Sequence, residues 1–228
     1  MPISIAQNRD NMEAMREFPD KYFDLAVVDP PYGGNDAINV KNSGDAHSAK
    51  RGAYKEFSNI APDAEYFTEL SRVCKNWIIW GGNFFPITGG AIVWNKNGTA
   101  FGEAEMAICS THKSVKIFEY TWNGMLQQDM ANKERRIHPT QKPVALYKWL
   151  LTNYAKPGDK ILDTHLGSGS SRIAAYDMGF DFWGYELDAD YFADEEARFK
   201  AHISKPVLFA PEQMYRFEQA ELFNEETR

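Results

Sequence analysis

The sequence predicts an α/β protein built on a doubly wound, mostly parallel sheet with an antiparallel hairpin section. Three observations support this prediction. Apolar strand segments alternate with helical segments along most of the chain, which is typical of parallel sheets. One strand runs directly into a glycine turn at 167–169 that opens a helix, as in a βαβ unit. Three apolar segments between residues 91 and 120 follow one another closely, which favours antiparallel pairing.

The first part of the chain contains a strand, a helix and a second strand. Ile3–Ala6 is the short first strand, and Met12, Met15 and Phe18 recur behind it at helical spacing. Phe23–Val28 is a continuous apolar run, as in buried strands, and it ends at two prolines. We predict the next elements as a helix over 64–74 and strands over 76–80, 91–94, 104–109 and 115–120.

The second part of the chain alternates helices and strands. Pro143 stands in the first turn of a helix that runs to Tyr154. We predict the elements that follow as a strand over 160–163, a helix over 170–178, a strand over 182–186 and a helix over about 190–202. We interpret residues 1–228 as a single domain, because a chain of this length can bury one sizeable core.

Two polar segments, 34–60 and 123–137, are rich in Gly, Asn and charged residues. Loops of this size are usually functional, so we expect both segments to be mobile binding loops. Residues 180–228 carry 12 acidic and 5 basic residues, which accounts for the whole net charge of −7, and 204–228 form an acidic tail. Any surface that binds a polyanion must therefore be local, and the alternative is that the basic residues of both segments are solvated loop charges.

Composition and segment lengths exclude several classes of protein. The hydrophobic content of 43% argues against disorder, and no apolar run is long enough for a membrane span. The first ten residues lack the features of a signal peptide. Cys74 and Cys109 are too few for a disulfide framework and lack metal-ligand spacing. We expect reduced structural cysteines, no bound metal and a cytoplasmic location.

The βαβ unit over 160–188 favours a nucleoside ligand. Glycines at 167 and 169 allow the backbone to pass close beneath a ligand, and Glu186 follows at a spacing suited to ribose hydroxyls. Arg172 stands where a dinucleotide motif has its third glycine, so a ligand without a pyrophosphate fits better. The alternative is a tight turn whose glycine only packs against a helix.

A second motif, Asp29-Pro-Pro-Tyr32, suits chemistry on an exocyclic amine. Such an amine is a poor nucleophile because its lone pair is delocalised into the ring. The Asp29 carboxylate and the Pro30 carbonyl can accept its N–H groups, and Tyr32 offers a face on which an extruded base can stack. The alternative is a turn that ends a strand and carries a packed tyrosine.

Three motifs occur in a defined order: Asp-Pro-Pro-Tyr at 29–32, His-Pro-Thr-Gln-Lys-Pro at 138–143, and Asp-Thr-His-Leu-Gly-Ser-Gly at 163–169. In this order the chain resembles the β-group of S-adenosylmethionine-dependent DNA amino-methyltransferases, from residue 3 to about residue 200. The resemblance implies a Rossmann-like methyltransferase fold with circularly permuted motifs. It also implies S-adenosylmethionine as cofactor, double-stranded DNA as partner, and the N6 amine of adenine as the favoured target.

The resemblance further implies roles for particular residues. The target base would be held by the catalytic motif, Asp29, Pro30, Pro31 and Tyr32. The cofactor would be contacted by Asp10, Asp29, His138, Thr140, Lys142, Asp163, Leu166, Gly167, Ser168, Gly169, Ser170, Glu186 and Leu187. The basic residues of the two polar segments would contact DNA, namely Lys50, Arg51, Lys55, Lys133, Arg135 and Arg136.

The chain departs from the family pattern in two places. Thr164-His165 stands where the family usually has Pro-Phe, and Ser170-Ser171 where it usually has Thr-Thr. Several alternatives stay open: an N4-cytosine target, an RNA or protein amide as acceptor, and a relic that binds cofactor or DNA without catalysis. A homodimer is expected if the recognition site is a palindrome.

Overall fold

The computed structural model describes residues 2–33, 59–99, 102–123 and 125–205. Within these ranges the strands are β1 Ser4–Asn8, β2 Phe23–Val28, β3 Cys74–Trp80, β4 Gly90–Asn95, β5 Ala104–Cys109, β6 Val115–Glu119, β7 Lys160–Asp163 and β8 Asp181–Glu186. The helices are α1 Asn11–Arg16, α2 Ala64–Val73, α3 Val144–Tyr154, α4 Ser170–Asp177 and α5 Ala189–Ile203. No helix in the described ranges is long and apolar enough to cross a membrane.

All eight strands form one sheet in the order β1-β8-β7-β2-β3-β5-β4-β6. Its first five strands are mutually parallel, and β5 is antiparallel to both of its neighbours. The predicted α/β class and the mostly parallel sheet with an antiparallel hairpin are therefore confirmed. The predicted bounds of three strands, 23–28, 104–109 and 160–163, agree with the structure.

One strand pairing in the antiparallel section differs from the prediction. The short spacing of β5 and β6 correctly indicates that the chain reverses direction between them. However, β4 lies between the two strands, and β6 pairs with β4 in parallel, with Ala91 opposite Val115. Spacing along the chain predicts direction but not the neighbour in the sheet, which explains the difference.

Apolar side chains cover both faces of the sheet. Along β2, Leu25 and Val27 join one buried cluster with residues of α3 and α4, whereas Ala26 and Val28 join another with residues of α1 and α2. Successive side chains of a strand point to opposite faces, so a continuous apolar run is expected where helices cover both. The sheet is thus the middle of three layers.

Arg172 and Gly169 are required by the packing of α4 against α5. Arg172 donates to both carboxylate oxygens of the buried Glu195, at 3.2 and 3.0 Å, and to the hydroxyl of Ser4 at 3.0 Å. A Cβ on Gly169 would lie 2.4 Å from Oε1 of Glu195. The residue that replaces the third glycine of a dinucleotide motif therefore ties α4 to α5 and β1.

The permuted motifs meet at the carboxyl edge of the sheet. β2 and β7 are adjacent and parallel, so Asp29, which follows β2, and Asp163, which ends β7, leave the sheet side by side. The strand order reverses between β7 and β2, and ligands of open α/β sheets bind in the crevice at such a reversal.

Candidate active site

Asp29 is the centre of a hydrogen-bonded group at the carboxyl edge. Tyr32 donates its hydroxyl to Oδ1 of Asp29 at 2.6 Å. The ammonium of Lys142 donates to Oδ2 of the same carboxylate, also at 2.6 Å. Each carboxylate oxygen therefore has its own donor from a different part of the chain.

Lys142 lies just before α3 and is buried, with only 3% of its side chain exposed. Its ammonium also lies 2.9 Å from Oε2 of Glu105 and faces the Trp80 ring, 5.4 Å from the centroid. Burial alone would lower the pKa of Lys142, but the carboxylates of Asp29 and Glu105 hold that pKa well above its ordinary value. The lysine is therefore a fixed cation between two carboxylates.

Glu105 lies at the start of β5, and its other carboxylate oxygen pairs with the ammonium of Lys96. Burial opposes ionisation of Glu105, yet the two lysines lower its pKa to about 2. Because β5 is antiparallel, its first residues lie at the same edge as the last residues of β4. This edge therefore carries a row of alternating charges that runs from Asp29 through Lys142 and Glu105 to Lys96.

Tyr32 belongs to an aromatic step beside Asp29. Its ring stacks on the exposed ring of Phe84, with centroids 5.0 Å apart and planes 14° apart. Gly81 lies against the ring, and a Cβ there would lie 2.1 Å from a Tyr32 ring carbon. Burial, together with the Asp29 carboxylate, raises the pKa of the Tyr32 hydroxyl, which therefore stays a donor.

Asp163 organises the glycine turn that follows β7. Its Oδ1 accepts the backbone N–H of His165 at 3.0 Å, and its Oδ2 accepts the hydroxyl of Ser171 at 2.5 Å. Burial raises the pKa of Asp163 to about 7. Leu166, buried in the same turn, donates its N–H to the Tyr185 carbonyl at 3.0 Å.

Glu186 links the end of β8 to the glycine turn. Its Oε2 accepts the N–H of Gly167 at 2.8 Å, and its Oε1 accepts the N–H of Asp188 at 2.9 Å. Burial raises the pKa of Glu186. Each carboxylate oxygen has a second lone pair that can accept another donor, and the neighbouring Leu187 is exposed.

His138 packs against Gly167, whose φ of 51° is left-handed; a Cβ on this glycine would meet the His138 ring at 3.8 Å. Thr140 donates its backbone N–H to Nδ1 of His138 at 3.3 Å, and its hydroxyl lies 3.0 Å from the same atom. Burial and then the charge of Arg136 lower the pKa of His138 to about 4. The ring is therefore neutral at pH 7, and it contacts Tyr191 with centroids 4.3 Å apart.

The hydroxyls of Ser168 and Ser170 point towards each other and lie 3.2 Å apart. Arg198 of α5 donates to the carbonyl of Ser168 at 2.6 Å and to the hydroxyl of Ser170 at 2.9 Å. Both serines are buried. The carbonyl of Ser168 and the hydroxyl of Ser170 thus hold the turn against α5. Both serines also belong to the predicted cofactor contacts.

Asp10 is the N-cap of α1, and its Oδ1 accepts the N–H of Glu13 at 3.0 Å. The next residue, Asn11, donates to the carbonyl of Thr164 at 3.1 Å and lies 3.3 Å from Nε2 of His165. An open cleft of about 250 Å³ adjoins this contact, lined by Asn11, Met12, Ile60, Ala61, Pro62, Asp63, Tyr66 and His165. The start of α1, next to the predicted cofactor residue Asp10, therefore lies beside the residues that lead into the glycine turn.

The predicted DNA contacts divide between the described and the remaining residues. Lys50, Arg51 and Lys55 lie outside the described residues, as does most of the segment 34–60. In the other segment Lys133 and Arg135 are exposed, and Lys133 donates to the carbonyl of Met125 at 2.7 Å. Arg136 turns back onto the carbonyl of Pro139. The DNA-contacting role of both segments stays a prediction.

Sequence reasoning missed Glu105, Lys96 and Phe84. Glu105 could have been found, because it shares the strand phase of Ala107 and Cys109, which are both buried. A carboxylate on the buried face of a strand needs a cationic partner. Phe84 and Lys96 carry no comparable signal. Each follows a strand, and no sequence pattern indicates that these strands end near Asp29.

Comparisons with known proteins agree with this geometry. A family model described as DNA methylase matches residues 93–197. The Type II methyltransferase M.HinfI of Haemophilus influenzae is 24% identical over 243 residues, covering 84% of this chain and 67% of that protein. The Type II methyltransferase M2.DpnII of Streptococcus pneumoniae is 22% identical over 240 residues, covering 86% of this chain and 90% of that protein.

Two solved structures share the fold. The M1.HpyAVI–SAM complex superposes with a TM-score of 0.55 at 18% identity, covering 87% of this chain and all of that one (100%). The PvuII DNA methyltransferase, described as cytosine-N4-specific, superposes with a TM-score of 0.57 at 13% identity, covering 93% and 91%. At these identities the likeness supports the fold alone.

Replacing Lys142 tests the row of charges. We expect Lys142→Met to lower the free energy of unfolding by about 3 kcal/mol, because two neighbouring carboxylates lose their shared cation. The pKa of Glu105 is about 2 in the fold against an ordinary 4.5, so the wild-type advantage is full above pH 4.5 and decreases below it. Urea unfolding at several pH values measures this difference. Lys200→Met, which removes an exposed lysine, is the control, and an equal loss in both variants would contradict the assignment.

Proposed function

We propose that this chain acts as a DNA amino-methyltransferase, in keeping with the DNA methylase family model that matches residues 93–197, and that it transfers a methyl group from S-adenosylmethionine to the N6 amine of adenine in double-stranded DNA. The observation that carries the proposal is the Asp29 carboxylate, which a buried lysine holds at Oδ2 and to which, among the described residues, the neutral hydroxyl of Tyr32 donates at Oδ1. An incoming amine can replace that hydroxyl without disturbing the ion pair.

The acceptor side of the reaction follows from these contacts. In the proposed complex, an adenine extruded from the duplex stacks at the aromatic step that Tyr32 forms with the exposed Phe84 ring. One N–H of the amine then bonds to Oδ1 of Asp29, and the carbonyl of Pro30 is the candidate acceptor for the other. These two acceptors draw the nitrogen lone pair out of conjugation with the ring, towards the methyl donor.

Transfer is direct and needs no covalent enzyme intermediate. The nitrogen gains the methyl group as the sulfonium becomes a thioether, and the nitrogen then releases one proton. Oδ1 of Asp29 is placed to receive it and pass it to solvent. Lys142 keeps the carboxylate in position throughout, so the protein contributes orientation and electrostatics rather than a nucleophile.

The residues around the glycine turn fit the proposed cofactor, which supplies an electrophilic sulfonium methyl group. Glu186 has free lone pairs for ribose hydroxyls, and the turn at Gly167 has no side chain beneath the His138 ring. Neutral His138 places no positive charge beside a sulfonium. Glu186 is a carboxylate that can supply the negative charge such a cation favours, whereas Asp163, with a pKa of about 7, is only partly ionised at pH 7.

Adenine is favoured over cytosine by Asp29, because the resemblance associates N4-cytosine members with serine at this position. The second candidate, N4-cytosine methylation, can use the same acceptors, and the PvuII enzyme described as cytosine-N4-specific shares this fold. Mass spectrometry of nucleosides, after incubation of unmethylated DNA with isotopically labelled S-adenosylmethionine, separates them. We expect labelled N6-methyladenine. Labelled N4-methylcytosine would overturn the base assignment. In a parallel incubation with RNA, label in RNA but not in DNA would overturn the DNA substrate.

Replacing the acceptor carboxylate tests the mechanism. We expect Asp29→Ala to slow transfer by about a hundredfold or more, since a lost transition-state contact is worth about 3 kcal/mol. Cofactor affinity should change little. The matched control is Asp24→Ala, which removes a carboxylate from the opposite end of the same strand. Single-turnover rates give the comparison, and a variant that keeps more than about a tenth of the rate would contradict the role of Asp29.

Replacing Glu186 tests the cofactor site. We expect Glu186→Ala to weaken S-adenosylmethionine binding about tenfold or more, because a charged acceptor contributes about 1.5–3 kcal/mol. Titration calorimetry measures the affinity, with the exposed Glu17→Ala as control. Unchanged affinity in the Glu186 variant would remove the ribose assignment and leave the acceptor side untouched.

A further inference from the structure

A short turn, here called the apolar turn and described at residues 122, 123 and 125–127, exposes large apolar side chains. Met125 is 66% exposed and Leu126 is 51% exposed, and Met130 close behind them is 52% exposed. Single exposed apolar residues are ordinary, but three within six residues form a patch that a binding partner would cover.

The apolar turn is held by its own hydrogen bonds. Oδ1 of Asn123 accepts the N–H groups of Met125 and Leu126 at 3.1 and 2.7 Å. Trp122 and Gln127 form a β-bridge at its base, and Lys133 donates to the carbonyl of Met125 at 2.7 Å. These hydrogen bonds hold the backbone of Met125 and Leu126, and both side chains are exposed to solvent.

The turn follows β6 at the carboxyl edge, and one hydrogen bond links its base to the residue before Lys142. β6, which leads into it, is parallel to β4, so both end at the edge where Asp29 lies. The indole of Trp122 donates to the carbonyl of Gln141 at 3.0 Å, and the next residue is Lys142, which holds Asp29. Met125 is three residues from Trp122, a distance of at most about 10 Å along the chain.

We propose that Met125 and Leu126 insert into the DNA duplex beside the target base and occupy the space that the extruded base leaves. This inference rests on the proposed function. Extruding a base costs stacking energy, and apolar side chains inserted at the base step offset that cost. The exposed cations Lys133 and Arg135 lie on the same segment, which fits a polyanion better than a second copy of this acidic chain.

The test separates base extrusion from chemistry. The probe is a duplex with the site found by methylation-sensitive sequencing of DNA from cells that express the wild-type chain. In a second duplex the nucleotide opposite the target is replaced by an abasic site, which lowers the cost of extrusion. We expect the Met125→Ala, Leu126→Ala double variant to methylate the paired duplex about tenfold more slowly than wild type, and the abasic duplex at close to the wild-type rate.

The matched control is Ile117→Ala, since Ile117 is 62% exposed on the edge strand β6 and is not part of the turn. It should behave as wild type on both duplexes. An unchanged rate on the paired duplex, an equal loss on both duplexes, or an altered oligomeric state in the double variant would each overturn the insertion. Failure of the wild-type chain to methylate either duplex would instead overturn the proposed function, and the insertion with it.

Discussion

The arrangement of side chains at the carboxyl edge depends on the ion pairs made by the buried ammonium of Lys142. It joins three separate parts of the chain: the end of β2 through Asp29, the start of β5 through Glu105, and the N-terminus of α3, which it precedes. Two carboxylates that share one ammonium would repel each other without it. The lysine helps to hold the pKa of Glu105 low and fixes Oδ2 of Asp29, while Oδ1 accepts the hydroxyl of Tyr32.

The segment 138–142 links the two halves of the site. At one end His138 lies against Gly167 in the turn after β7, and at the other end Lys142 bonds to Asp29 after β2. Five residues thus bridge the crevice at which the strand order reverses. One short piece of backbone therefore contacts both the glycine turn and the Asp29 carboxylate.

Local patterns in the sequence predicted most of the fold, because buried strands and capped helices leave clear local signals. Phe23–Val28 needed only its own composition to be recognised as a central strand. The motifs named residues that the fold brings to one edge of the sheet, such as Asp29 and Glu186, and their roles stay predictions. The resemblance placed Lys142 over the cofactor, and the structure adds its bond to Asp29. Glu105 was missed because its position depends on a long-range pairing that no local pattern encodes.

The permuted strand order has a consequence for how this chain reaches its native state. Of the eight described strands β1 is made first, yet the strand it pairs with there is the last, β8, with Ser4 opposite Phe182. β2 can pair early with β3, but its other edge must wait for β7, since Leu25 pairs with Ile161. On the ribosome β1 and one edge and one face of β2 therefore stay uncovered until most of the domain has been synthesised. Such long-range pairing makes folding slow and leaves the nascent chain dependent on protection from aggregation.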